Sequence, residues 1–477
     1  MKRATRFMRD TVSCEGGYVW SYTTDLSRRW GELEARPTMI WIQGSGTPAM
    51  GHAFLDAFEA TRDEFYFEAA SDVARVLIRV QHPAGGWNYC ADLAGEASLR
   101  EWYATVGANA WRLEEFQHYY GNATFDDSVT SSAGGFLLRF HATRPNPEVR
   151  AAVERVIAFI LDSQYPSGGW PQRFPIMAGF NKDGHSDYSA YCTFNDDVAA
   201  GNIAFLERCA MHFSDPRIAQ AIRRGREAFI LARQEPPQAG WALQYTPDLR
   251  PAGARTYEPR ALATHASADN IRQLFRFYRE TGDRAFLECV EPALDWLDSV
   301  ALTSELRQSS GRSHPTFVEL GTNRPLFIHR SGSNAVNGRY YVDDEPGHTI
   351  AHYASFRHVD VAALRAELST LSTQPWSPPK SRDPAPRPVS AAEARRVVAA
   401  LNSTGYWPAM LEWTSHPYRG PASREVAPGD YSRTFVGDTS DTSPFLADKP
   451  QPGISTKAYI RSMRVLVQRL RELRDVE

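Results

Sequence analysis

Apolar residues recur at helical spacing through much of the chain. Val149, Val153, Val156, Ile157, Ile160 and Leu161 fall at i, i+4, i+7, i+8, i+11 and i+12, on one face of a predicted helix. The residues before them supply a start. Asn146 carries a capping side chain, Pro147 fits the first helical position, and Glu148 sets negative charge at the positive helix end. Asp215 and Pro216 repeat the device ahead of Ile218, Ile222 and Phe229.

The periodic segments themselves repeat. Units headed by Thr47 ("TPAMGHAFLDAF"), Thr124 ("TFDDSVTSSAGGF"), Thr193 ("TFNDDVAAGNIAF") and Thr264 ("THASADNIRQLF") each read as helix, turn, helix and long loop. Two of them close on nearly the same phrase, "QHPAGGW" from Gln81 and "QYPSGGW" from Gln164. Gly-Gly stops the second helix and the Trp folds back as an apolar anchor, so Trp87 and Trp170 are predicted to pack on the ends of their own second helices. Repeated hairpins predict an all-α-dominated fold, an incomplete α/α toroid (barrel) with long loops and a few short strands. The expected organisation is an N-terminal extended arm at 1–46, a catalytic body at 47–358 and C-terminal helices with Pro-rich loops at 359–477 packing on that body. Within the body, 303–358 reads as turns and short strands. The Pro-rich stretch covers 372–390, and helices resume at 391–401 and 456–474.

Composition narrows the function classes. A net charge of −3 over 477 residues gives no global attraction to nucleic acid. No apolar run approaches the roughly 18–20 residues that span a bilayer, so no membrane partner is expected. The opening "MKRATRFMRDTVSC" lacks an apolar signal core. A mature secreted or periplasmic monomer is expected, with a cytoplasmic chain as the alternative. Five scattered cysteines without a C-x-x-C pattern argue against a disulfide scaffold or a zinc site. Only five of the 53 basic residues are lysine, and arginine supplies planar forks that match carboxylates.

Three predicted helix starts carry acids in one register: Asp126 and Asp127, then Asn195, Asp196 and Asp197, then Asp269 and Asn270. Each fits a plain N-cap. If the hairpins form a ring, the acids of adjacent repeats also point at one central space, where oxygen-rich clusters suit a hard cation such as calcium. Arg255, Arg324, Arg330 and Arg339 lie in irregular segments, where arginines beside such a cleft would recognise carboxylated substrates.

The ordered set "TFDDSVTSSAGGFLLRF", "DSQYPSGGWPQRFP", "AYCTFNDDVA", "RTYEP" and "ELGTNRPLFIHR" resembles the family-ten pectate lyases over about residues 120–335. The resemblance implies an α/α toroid that binds an acidic polysaccharide, a polymer of 4-linked uronic acid with pectate (polygalacturonate) foremost. It implies cleavage by β-elimination with Ca2+ bridging protein and sugar carboxylate. It implies Asp126 at the calcium and Asp127 beside it, Arg330 as the base, and Arg255, Arg324, Asp196, Asp197 and Asp127 as substrate-binding residues. Tyr188, Tyr191 and His329 are spare candidates for the base. Two positions depart from the family pattern: Asp127 stands where an Asn is usual, and "TFVE" places Thr316 where Arg-Phe-Tyr-Glu is expected. An α/α-barrel glycoside hydrolase using Asp126 with Asp197, and a non-catalytic binder of uronate polymers, are the alternatives. A triterpene cyclase would need an Asp-x-Asp-Asp donor, which the chain lacks.

Overall fold

The computed structural model describes the chain except residues 110–113, 178, 182–185, 332–338, 348, 350–352, 379–386, 412–414, 417–445, 448–450 and 475–477. Helix starts follow their side chains. Asn146 Oδ1 accepts from the backbone N–H of Glu148 at 2.9 Å and of Val149 at 3.1 Å. Asp215 Oδ1 accepts from Arg217 N at 2.9 Å and Asp63 Oδ1 from Phe65 N at 3.1 Å. Val149, Val153, Val156 and Ile160 are buried along the face that the spacing marks.

Two compact units divide the chain, one holding Met1–Phe159 with described residues of the C-terminal region, the other the described residues of Ile160–Asp383. In the first, the Thr47–Thr61 and Glu64–Arg79 helices form a hairpin, and the Val129–Thr143 and Thr456–Arg474 helices pack on it. A five-stranded antiparallel sheet joins the two chain ends, with Ser21–Thr23 between Gln451–Ser455 and Arg29–Trp30. In the second, the Val198–Cys209 and Pro216–Ala232 helices form a hairpin that the Thr264–Thr281 helix extends. A four-stranded antiparallel sheet runs in the order Ala261–Ala263, Phe317–Glu319, Pro325–Ser331, Arg339–Asp343. Among the described residues the strands form only open sheets of two to five strands. The all-α-dominated, hairpin-repeat class read from the sequence is therefore the one observed. One local difference stands out: Ser304–Ser310 is a helix where turns and strands were expected, its first turn capped by Thr303. Among the described residues no helix is long and apolar enough to cross a membrane, and all five cysteines are free thiols.

The repeated phrase is a clamp. Trp87 Nε1 donates to the Leu77 carbonyl at 2.9 Å, and Trp170 Nε1 to the Ile160 carbonyl at 2.9 Å, each at the end of its own second helix. Trp241 does the same to Phe229 at 2.8 Å. The glutamine explains the rest of the motif. Gln81 Nε2 donates to Gly85 O and, in the second helix of the following repeat, to Ala152 O; Gln164 Nε2 likewise donates to Gly168 O and Ala221 O. Gly85 and Gly168 have φ of +115° and +90°, and a Cβ on either would lie 2.2 Å from a backbone oxygen of that same second helix. Only glycine fits.

Two further clamps escaped the sequence reading. Gly16 has φ +90° and packs on Asp72 O, with Tyr18 in place of Trp, and Trp407 Nε1 donates to Val397 O at 2.8 Å. The repeat thus extends beyond the four Thr-headed units on both sides. Trp170→Ala is expected to cost about 3–5 kcal/mol of unfolding free energy, through lost burial and an orphaned carbonyl. Chemical denaturation measures it, and a loss below about 1 kcal/mol would remove the clamp's structural role.

Candidate active site

The two acid-rich helix starts share one unusual backbone. Asp127 and Ser128 have φ of 49° and 58°, and Asp196 and Asp197 have φ of 51° and 55°. Each left-handed pair sits directly before a helix, at Val129 and at Val198. This matches Asp127 to Asp196 and Asp126 to Asn195. Left-handed backbone costs a non-glycine residue roughly 1–2 kcal/mol, and such strain concentrates at functional positions. Neither helix start uses its residue as a simple cap, since Ser128 and Asp197 make no capping side-chain bond. Asp269 instead lies inside the regular Thr264–Thr281 helix.

In the first unit Asp126 is fully buried, and its Oδ2 accepts a 2.5 Å hydrogen bond from the Tyr89 hydroxyl. Its backbone N–H donates to Thr124 Oγ1 at 3.2 Å. Asp127 Oδ2 accepts from Gln43 Nε2 at 2.5 Å, and the same amide nitrogen donates to Glu32 at 2.8 Å. The Trp41 indole donates to Gln43 Oε1 at 3.0 Å, which fixes the amide's orientation. Tyr89, Gln43 and Glu32 were missed from sequence. Tyr89 stands two residues beyond the clamp tryptophan, and that position was its available signal.

In the second unit Arg255 is 5% exposed, with Nη1 donating to Glu258 Oε1 at 3.1 Å and its backbone N–H to Glu258 Oε2 at 3.0 Å. Asp196 Oδ2 lies 3.9 Å from the same Nη1, and the Tyr188 ring centroid lies 5.8 Å from the guanidinium. The Tyr353 hydroxyl donates to Glu258 Oε1 at 2.6 Å. Desolvation, then the Glu258 charge, hold this phenol well above its ordinary range, so it remains a donor. Asn195 Nδ2 donates to Asp196 Oδ2 at 2.6 Å. Asp197 is exposed. Asp269 is exposed and bonded to Arg272 at 2.7 Å.

The arginines separate. Arg330 pairs with Tyr340 in backbone register, and its side chain lies outside the described residues, as does that of Arg339. Arg324 sits six residues earlier on that strand's approach, roughly 20 Å away at about 3.4 Å per residue. It is exposed and held by Glu319 through Nε at 2.9 Å and Nη2 at 3.2 Å. No described contact joins Arg324 to Arg255, Asp196 or Asp197. The structure thus brings Arg255 and Asp196 together and leaves Arg324 with its own partner. His329 Nε2 faces Asp343 at 2.7 Å and the Glu345 carbonyl at 3.1 Å, with Tyr341 stacked on its ring. Thr316 is buried and donates to the Ala354 carbonyl.

Calcium was expected at Asp126 and Asp127, and their oxygen donors fit it in kind. In number they fall short of the six to eight oxygens that calcium takes, and among the described residues no group of three or more His, Cys, Asp or Glu is placed to hold a metal.

The chain is a polysaccharide lyase. A family model described as pectic acid lyase matches residues 95–345, more than half of the sequence, and the chain belongs to that family. Among solved structures it is similar to a family 10 polysaccharide lyase from Cellvibrio cellulosa at 20% identity, over 57% of this chain and 83% of that one, with a TM-score of 0.40. A mutant of that lyase in complex with trigalacturonic acid matches at 20% identity over 59% and 86%, again at 0.40. A cellobiose 2-epimerase from Spirochaeta thermophila matches at 12% identity over 98% and 94%, at 0.46. No curated protein matches.

Proposed function

We propose that the enzyme cleaves a 4-linked uronic-acid polymer, pectate in the first instance, by calcium-assisted β-elimination. The observation that carries this reading is the Asp196–Arg255–Glu258–Tyr353 group. It sets a buried, preoriented guanidinium beside a strained acidic turn, in a chain of the pectic acid lyase family. Loss of the proton at carbon 5 leaves negative charge that spreads into the sugar's carboxylate, and donors fixed at that carboxylate stabilise it as it develops. Arg255 suits this task. Its bond to Glu258 keeps it aimed, which favours a binding role over a basic one. Arg330 is the proposed base, taking the proton as the oxygen at carbon 4 departs and an unsaturated sugar end forms. Asp126 and Asp127 would hold the cation together with water and a carboxylate of the polymer, which supply the missing oxygens. When bound, the cation contributes positive charge at that carboxylate. Asp196 and Asp197 line the sugar-binding side. A polymeric substrate supports a location outside the cytoplasm, and the working enzyme is proposed as a monomer.

A panel of pectate, alginate, glucuronan and ulvan tests the reading by ultraviolet absorbance of the unsaturated product. Absorbance is expected with pectate and calcium, and excess chelator is expected to remove it. Undiminished turnover in chelator would sink the role of calcium. New reducing ends without absorbance would instead establish hydrolysis, by paired carboxylates.

A further inference from the structure

Arg357 lies beyond residue 345, where the family match ends, on a short strand at the same group of residues. Phe356–Arg357 pairs antiparallel with His314–Pro315, His314 opposite Arg357. The guanidinium carbon of Arg357 stands 5.9 Å from the ring centroid of Tyr353. The hydroxyl of that tyrosine bonds the Glu258 oxygen that also accepts from Arg255. One aromatic ring therefore links a paired arginine to a second one.

The second arginine is not paired. Arg357 is half-buried, its Nε is enclosed without a hydrogen-bond partner, and it forms no ion pair among the described residues. Arg224 and Arg233, also part-buried, donate to an amide and a carbonyl oxygen, and two other part-buried arginines of this unit are neutralised by carboxylates. Arg226 lies 2.7 Å from both Glu207 and Glu280, and Arg276 lies 2.7 Å from Glu207 and 3.1 Å from Glu280. The charges around Arg357 do not supply a counterion. Asp269 acts on it from a distance and is itself bonded to Arg272 at 2.7 Å, while Arg312 repels it. Burial pushes the adjacent His265 down to about 3, so that ring is neutral and offers no negative charge. Partial withdrawal of a cation from water without an anion is unfavourable, and a ligand that brings the anion relieves the cost.

We propose that Arg357 is a substrate-binding arginine whose partner is a sugar carboxylate of the bound uronate polymer, held across Tyr353 from the Arg255–Glu258 pair. This rests on the uronate reading above. Guanidinium and carboxylate match as a planar fork, and the face of Tyr353 supplies an apolar surface for the sugar ring.

Arg357→Ala and Arg357→Lys test it in the full chain, with kinetics on pectate and calorimetric titration with trigalacturonate in calcium, galactotriose serving as the uncharged control. Arg357→Ala is expected to raise KM, and to weaken trigalacturonate binding, by about 10- to 100-fold with kcat within a few-fold of wild type. Arg357→Lys is expected to recover part of that loss. The melting temperature is expected to stay level or rise, because an uncompensated charge has been removed. An unchanged KM and affinity in Arg357→Ala, with wild type active on pectate, would overturn the assignment and leave the uronate reading standing. A fall in melting temperature of several degrees alongside the loss would make Arg357 structural and overturn it too. A wild type that neither binds trigalacturonate nor forms unsaturated product from any polymer would overturn the uronate reading, and this assignment with it.

Discussion

Asp126→Asn is expected to lower kcat on pectate by at least about 1000-fold while the helical signal and melting temperature stay near wild type. The asparagine arm carries the argument because of where Asp126 sits. The residue is fully buried and accepts from the Tyr89 hydroxyl at 2.5 Å. Alanine would remove the charge and also leave that hydroxyl without its acceptor, a penalty of about 1–3 kcal/mol that confuses function with folding. Asparagine keeps an acceptor oxygen for Tyr89 and the side chain's shape while it removes the negative charge and exchanges the other oxygen for an NH2 group. Tyr89→Phe makes the complementary change, keeping the carboxylate and deleting its donor, and is expected to cost no more than about tenfold. Two outcomes contradict the proposed role. Near-normal turnover in Asp126→Asn would mean that no cation depends on this carboxylate. An equal collapse in Tyr89→Phe would mean that the pair acts through packing.

The parts of this protein that sequence predicts well are those whose causes are local. Asn146, Pro147 and Glu148 announce a helix start from adjacent positions, and the start is there. The Gly-Gly-Trp phrase announces a helix stop, and Trp87 and Trp170 close on their own helices at 2.9 Å. The second half of the clamp was hidden, because Gln81 and Gln164 reach carbonyls 71 and 57 residues away, and no periodicity reports such a pairing. The site follows the same division. Asp126, Asp127, Asp196 and Asp197 stand out by their repeated register, yet that register alone suggested capping, and only the left-handed backbone separates them from ordinary N-caps. Their partners come from elsewhere in the chain: Gln43 lies 84 residues before Asp127, and Tyr89 lies 37 before Asp126. Arg324 is the converse case. It sits beside a recognisable motif, but Glu319, five residues before it, takes its guanidinium.

Arg330→Lys is the sharpest test of the chemistry, because it keeps the charge and changes the geometry. Lysine loses the planar fork and moves the nitrogen that would accept the proton. A residue that only binds a carboxylate tolerates this exchange with a raised KM, since an ammonium still attracts the anion. A base does not, and kcat is expected to fall by several orders of magnitude with KM nearly unchanged. Arg255→Lys is the internal control: with Glu258 holding the wild-type guanidinium, its effect is expected mainly in KM. The pH profile gives an independent view. An arginine releases its proton only with difficulty, since its ordinary pKa exceeds about 12. Raising the pH increases the small neutral fraction, so the rate is expected to keep climbing well above neutrality. A bell-shaped profile centred near neutrality would shift the assignment to His329, whose Nε2 lies 2.7 Å from Asp343, or on its failure to Tyr188 and Tyr191. Near-normal kcat in Arg330→Lys would exclude Arg330 as the base whatever the pH profile, and an equal drop in kcat for Arg255→Lys would move that role to Arg255.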